Sequence, residues 1–281
     1  MLLLVPADPL RPRRADEHFA AEAAAARDAG HDVALIDNDA LTRAGGAGRA
    51  VARVPENGGA AVYRGWMLAS GQYAALADAA AATGVVMRTT ARQYRQAHEL
   101  PGWYDAMARV TPTAVWTTGD SEQDFRAAAA RLGPGPTVLR DYVKSMKHYW
   151  HQACYIPDTA DYPAAWKVAA RFRELREDDF TGGFVLRRYE NFTSAETRTW
   201  WIGGTCTLVT AHPDTPGEHP PEIDLAPLTP LVSSLGLPFV TVDLARRRDG
   251  AWRGIELGDG QVSDRPASAG PAAFLSAILI P

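Results

Sequence analysis

The first third of the chain constrains the fold most, because short apolar runs there alternate with alanine-rich segments. "LLLV", "DVALID", "AAVYRGW" and "VVM" read as strands. Between them, "ADEHFAAEAAAARDAG" has Asp16 and Glu17 suited to a helix N-terminus and Gly30 as its stop. "SGQYAALADAAAATG" is a further helix. This βαβ rhythm predicts a parallel sheet covered by helices. No GxGxxG follows the first strand, so a dinucleotide fingerprint is absent. "RAGGAGRAVARVPENGG" reads as a loop or mobile excursion.

The pattern changes after "HELPGWYDAMARVTP". A strand "TAVWTT", a helix "SEQDFRAAAARLG" and a strand "TVLRDYV" precede the amphipathic helix "TADYPAAWKVAARFRELRE". The aromatic and β-branched runs "GGFVLRRYENF", "ETRTWWIGGTCTLVTA", "PFVTVDLARR" and "WRGIELGDGQV" then suit antiparallel strands, with Gly203–Gly204 as a hairpin turn. Trp200 and Trp201 should be one core and one surface-facing residue. The expected organisation is α/β followed by α+β, with domains at 1–110 and 111–281 and a subdivision of the latter near 185/186.

Composition narrows the class. A formal charge of −4 argues against a nonspecific nucleic-acid binder but leaves room for a local basic pocket. The two cysteines, Cys154 and Cys206, form no CxxC, which fits a reducing cytoplasm. The apolar run Leu2–Val5 is too short for a signal peptide or a membrane span, and no other run is long enough to cross a bilayer.

Two places carry candidate chemistry. "VLRDYVKSMKHYW" puts Arg140, Lys144, Ser145 and Lys147 at the exit of a strand, a set suited to a polyphosphate or, alternatively, to a solvated basic loop. Near the other end, a hairpin can bring Asp243 and Glu256 side by side. Buried carboxylates need neutralising, either by Mg²⁺, with Asp259 as a third oxygen ligand, or by Arg246 or Arg253. Arg64, closing the strand of "YRGWM", is a candidate anion clamp or one half of a salt bridge. Arg11, Arg13 and Arg14 either meet an anionic substrate or form a solvated loop.

The ordered series "YRGWM", "LRDYVKSMK", "GGFVLRRYENF", "ETR", "VTVDLA" and "IELGDGQVS" resembles the ATP-grasp superfamily, and within it the clade named for two arginines and a lysine. The resemblance implies an ATP-grasp fold behind an N-terminal parallel α/β domain. It implies ATP and Mg²⁺ as cofactors and a small-molecule or peptide substrate, with no nucleic acid or membrane partner. By position, Arg140 stands where a phosphate-binding lysine is usual, and Lys144, Ser145 and Lys147 match the phosphate loop. Leu186, Arg187, Arg188 and Tyr189 match the adenine hinge, and Glu190 or Glu196 would accept from ribose. Arg198 would meet the γ-phosphate or acyl phosphate, and Asp243 and Glu256 the metal. The usual asparagine two places after that glutamate is Gly258 here, with Asp259 next.

The implied activity is an ATP-dependent carboxylate–amine (or thiol) ligase working through an acyl phosphate, with Arg198 and Lys147 as the catalytic cations. A small-molecule kinase on the same scaffold, or a nucleotide-binding module without turnover, are the alternatives. Oligomeric state is open, a homodimer included.

Overall fold

A computed structural model describes residues 1–279. The chain divides into two compact units: residues 1–97, 195–244 and the stretch from Glu256 onward form the first, and residues 98–194 with 245–255 form the second.

The first unit opens with β1 (Leu2–Pro6), α1 (Glu17–Asp28), β2 (Asp32–Ile36), the short helices α2 (Asn38–Leu41) and α3 (Ala47–Ala50), β3 (Gly59–Tyr63), α4 (Ser70–Ala82) and β4 (Val85–Met87). These strands form a parallel sheet in the order β2-β1-β3-β4. Every residue of β1 is buried, as an unbroken apolar run between two covered faces requires. Alternation along the strands then fixes two cores. Leu2, Leu4, Ala61 and Tyr63 face α4 residues such as Tyr73 and Leu76, whereas Leu3, Val5 and Val62 meet Phe19 and Ala23 of α1. Asp16 caps α1 by accepting from the His18 N–H, as its position in the sequence predicts. The segment expected to be a loop contains α3, a single helical turn.

The second unit follows α5 (Ala91–His98), most of which belongs to the first. It contains α6 (Leu100–Met107), β5 (Ala114–Trp116), α7 (Glu122–Leu132), β6 (Thr137–Arg140), β7 (Tyr155–Ile156), α8 (Tyr162–Arg176) and β8 (Val185–Arg188). Its sheet is antiparallel in the order β5-β8-β6-β7, with Phe125 of α7 and Phe172 of α8 buried against Leu139 and Leu186.

β9 (Thr197–Ile202), β10 (Thr205–Ala211), α9 (Thr229–Ser234), β11 (Phe239–Arg246), β12 (Trp252–Asp259) and α10 (Pro271–Ile278) complete the chain. The strands form an antiparallel sheet in the order β10-β9-β11-β12. Gly203 and Gly204, at φ of 54° and 83°, make the expected hairpin turn, because two successive left-handed residues match the strand twist. Both tryptophans of β9 are fully buried, which corrects the expected alternation: β9 is covered on both faces. Trp200 packs with Phe239 and Phe274 in the core beneath Leu3 and Val62.

Arg64 fastens this arrangement. Its guanidinium, 1% exposed, donates to both Glu22 oxygens at 2.8 and 3.1 Å. It also donates to the carbonyls of Gly260, Gln261 and Ser263 at 2.8 to 2.9 Å. The stretch after β12 is thereby tied to the end of β3. Removing one member of a buried pair strands the other, so Arg64→Met should cost about 3–5 kcal/mol. Urea unfolding measures this, and adding Glu22→Leu to that variant should recover part of the loss.

Candidate functional site

Arg198 on β9 lies directly opposite Asp243 on β11, and the cross-strand register forces the two side chains onto one face. The guanidinium grips the carboxylate through two bonds, Nε to Oδ1 at 2.7 Å and Nη2 to Oδ2 at 2.8 Å. Burial alone would raise the Asp243 carboxyl, but Arg198 beside it, with help from His212, holds it down at about 2. Burial disfavours the Arg198 cation, yet the Asp243, Glu256 and Asp264 carboxylates outweigh that and strengthen its hold on the proton. Glu256 therefore acts on the same guanidinium as Asp243.

His212, one residue beyond β10, joins this cluster. Its Nε2 is 3.4 Å from Asp243 Oδ2 and 3.7 Å from Glu196 Oε2. The Asp214 backbone N–H donates to Nδ1, and Arg198 Nη2 lies 3.2 Å from Nε2, nearer than either carboxylate. Glu196, His212 and Asp243 offer ligand atoms within 4.8 Å of one another. Nothing in the residue pattern of "TAHPD" singled out this histidine.

Asp243 and Glu256 both supply hard oxygen donors of the kind magnesium takes, and the Asp243 carboxylate is held ionised. Each Asp243 oxygen accepts one N–H from Arg198 and keeps a lone pair, so adding an ion does not require the pair to break.

Asp259 is placed elsewhere. It is 1% exposed, its Oδ1 accepts from the Gln261 N–H at 2.8 Å, and its Oδ2 is buried without a hydrogen-bond partner. Gln261 in turn donates to the Tyr73 hydroxyl and accepts from the Tyr63 N–H, so this carboxyl belongs to the interior around β3 and α4. Burial pushes it up to about 7. Arg64, the candidate anion clamp, directs its donors at Glu22 and three carbonyls.

In the second unit, the basic stretch begins on a pinned turn. Asp141, fully buried, accepts from the N–H groups of Val143 and Lys144 through Oδ1 and from Arg176 and Thr181 through Oδ2. Arg140 donates to the carbonyls of Asp141 and Val143, bracing the same turn, and bridges to Ser145 through the backbone. Lys147 is exposed and starts a 3₁₀ turn that runs into a wider turn at Trp150–Cys154. The segment is thus a stapled turn followed by helical turns.

The expected hinge residues are arranged in β8 and just after it. Leu186 is core. Arg187 is buried against the Gly254 and Ile255 carbonyls and the Thr111 hydroxyl, and Arg188 donates to the carbonyls of Leu132, Gly133 and Pro134. Tyr189 sits edge-on to Tyr155, which stacks on Trp150 at 5.3 Å. Glu190 is held by Arg253 through two bonds of 2.9 and 2.8 Å. Arg253 therefore neutralises Glu190, while Arg198 neutralises Asp243.

A parallel α/β sheet followed by two antiparallel sheets that carry these charged strands is the architecture of an ATP-grasp protein. The model for the ATP-grasp domain of the clade named for two arginines and a lysine, family 3, matches residues 131–278, and the chain belongs to that family. Among solved structures, the chain resembles the RimK domain protein ATP-grasp from Sphaerobacter thermophilus DSM 20745, at 17% identity and a TM-score of 0.63 over 100% of both chains. It also resembles D-cycloserine synthetase DcsG, at 18% identity and a TM-score of 0.64 over 99% of this chain and 98% of that one. The ATP-grasp ligase PsnB, complexed with minimal precursor, Mg and ADP, matches at 12% identity and a TM-score of 0.57 over 99% and 97%. No curated protein matches by sequence.

Asp259 gives the fold a measurable pH signature. A carboxyl raised on folding stabilises the fold when protonated. That contribution falls as pH rises from about 4, its unfolded value, to about 7 in the folded state, and is then gone. Asp259→Asn removes the dependence, so denaturant unfolding should show the variant gaining on the parent between pH 5 and pH 8.

Proposed function

We propose that this chain is an ATP-dependent ligase that joins a carboxylate to an amine (or thiol) through an acyl phosphate, with ADP and phosphate released. Membership of the ATP-grasp family supports the nucleotide. The observation that carries the reading is the buried Arg198–Asp243 pair with Glu256 acting on the same guanidinium. Such a set suits a phosphoryl group, because a fixed cation and a metal-binding carboxylate stand together at one face of a strand pair. PsnB, of the same fold, was solved with Mg and ADP and also with a precursor peptide, which favours the same nucleotide chemistry here.

Asp243 and Glu256 would hold magnesium, which when bound offsets charge on the transferring phosphoryl group. Arg198 orients Asp243 and presents its remaining N–H groups to an anion, the role proposed for it at the γ-phosphate or acyl phosphate. His212 lies between Arg198 and the Asp243 and Glu196 carboxylates, its Nε2 3.2 Å from Arg198 Nη2, and so helps to keep the set in register. Lys144, Ser145 and Lys147, carried by the turn that Asp141 pins, are proposed to contact the phosphates, and the backbone of Leu186–Tyr189 the adenine. We keep residues 1–110 as the proposed substrate domain and 111–281 as the proposed nucleotide domain.

A second reading, a nucleotide-binding module without turnover, draws on Arg140, whose guanidinium is occupied by the carbonyls of its own turn. ADP release in the presence of ATP, Mg²⁺ and a panel of amino acids and short peptides tests the ligase proposal, with mass spectrometry to detect a new amide. Arg198→Met and Asp243→Asn should each lower acid-dependent ADP release on the order of 10²–10³-fold. Nucleotide binding without acid-stimulated release in the parent would favour the module.

A further inference from the structure

The parallel sheet leaves a second set of charges with no role in that chemistry. In the order β2-β1-β3-β4, the chain crosses from β2 over β1 to β3, so the connections reverse direction at β1. Ligands of open α/β sheets bind beyond the strand C-termini at such a reversal. A cavity of about 220 Å³ opens there, lined by the loops that leave β1, β2 and β3. Its walls carry both signs of charge, including Asp8, Asp39, Arg43 and Arg53. A more open recess of about 450 Å³ adjoins it, sharing Pro12 and Arg53, and is lined by Arg11, Arg13 and Arg14 as well.

Three observations indicate a ligand. Arg13, Arg14 and Arg43 make no side-chain hydrogen bond or ion pair among the described residues, although acids are close by in the same loops. Asn38, which lines the smaller cavity, has a buried side-chain oxygen without a partner. Large apolar side chains also stand exposed in these loops, Leu10 at 91% and Trp66 at 40%. Trp66 is steadied on one side by His18 and Phe19, with ring centroids at 4.8 and 5.1 Å, and the rest of its indole is open to a ligand.

We propose that this edge binds an acidic peptide, with the ammonium end in the mixed-charge cavity near Asp39 and Asn38 and the carboxylates along Arg13 and Arg14, flanked by Arg11, which also pairs with Asp8, and by Arg53, which donates to the Pro12 carbonyl. The cavity volume accommodates a single residue, the adjoining recess several more, and the arginines provide planar donors that match carboxylates. This inference names the substrate class of the proposed ligase and rests on that reading for its purpose, though not for the binding itself.

Calorimetric titration of the full chain with tetraglutamate tests it, with tetraglycine, tetralysine, free glutamate and N-acetyl-tetraglutamate as comparison ligands. Tetraglutamate should bind at least about tenfold more tightly than the others, with the affinity falling as salt rises from about 0.05 to about 0.3 M. The exposed double substitution Arg13→Gln/Arg14→Gln, and separately Arg43→Gln, should weaken binding about tenfold. Equal affinity for tetraglycine, for free glutamate or for the variants would overturn the proposal. ADP release is assayed on the same preparations. Binding without turnover would sink the ligase reading and leave this one standing, whereas turnover on other acids without tetraglutamate binding would do the reverse.

Discussion

The first unit depends on a guanidinium in its interior. Arg64 directly follows β3, the strand whose neighbours on the two sides are β1 and β4, and its donors reach α1 through Glu22 and the segment after β12 through three carbonyls. A charge buried this deeply is tolerable only when its hydrogen-bonding capacity is satisfied, and that requirement fixes the geometry of everything it touches. The turn at Gly260–Val262 cannot drift without stranding the cation. Because β12 runs directly into that turn, the clasp also limits where Glu256 can be. The position of Arg64 at a strand end allowed either an anion clamp or a salt bridge, and in this structure its guanidinium is paired with Glu22 in the interior.

Two aspartates in the same unit show how environment decides charge. Asp243 and Asp259 are 3% and 1% exposed, and both suffer the desolvation that disfavours a carboxylate. Asp243 faces a bidentate arginine and stays ionised, whereas Asp259 has one backbone donor and an unpartnered second oxygen and is pushed up to about 7. The first is suited to holding a cation at neutral pH. The second is suited to the interior, where a proton relieves the desolvation that Arg64 and the Gln261 N–H offset only in part. Proximity in the motif "IELGDGQVS" made Asp259 a natural third ligand on paper. Three residues of chain after Glu256 are enough to carry it into a different environment.

Much of the fold was legible because its signals are local. The apolar runs, the Asp16 cap, the Gly203–Gly204 turn and the amphipathic α8 each follow from a few adjacent residues. The strands bearing Arg198 and Asp243 were legible for the same reason. What was hidden depends on register. β10 carries an irregularity between Cys206 and Leu208 that shifts its pairing with β9 by one residue, so Arg198 lies opposite Thr210. Simple alternation from the glycine turn puts His212 on the wrong face, and only the shift brings it beside Asp243 and Glu196. The partners of Arg187, Arg188 and Glu190 were likewise unreadable, since each is a carbonyl or side chain tens of residues away.

The same logic separates two kinds of arginine in this chain. Arg64, Arg187 and Arg188 are occupied by backbone carbonyls, which are fixed acceptors, and they hold segments together. Arg13, Arg14 and Arg43 lie in loops at the C-terminal edge of the parallel sheet and have no such acceptors among the described residues. A planar donor left unpaired beside carboxylates that already cap their own turns, as Asp8 and Asp37 do, has not been recruited for stability. Asp8 gives Oδ1 to the Leu10 and Arg11 backbone N–H groups and Oδ2 to the Arg11 guanidinium, and Asp37 gives one oxygen to Ala40 and the other to Arg49, so neither is left for Arg13, Arg14 or Arg43. The residual positive field over that edge is therefore available to an incoming anion, and its position beside the exposed face of Trp66 gives that anion a nonpolar surface to lie against.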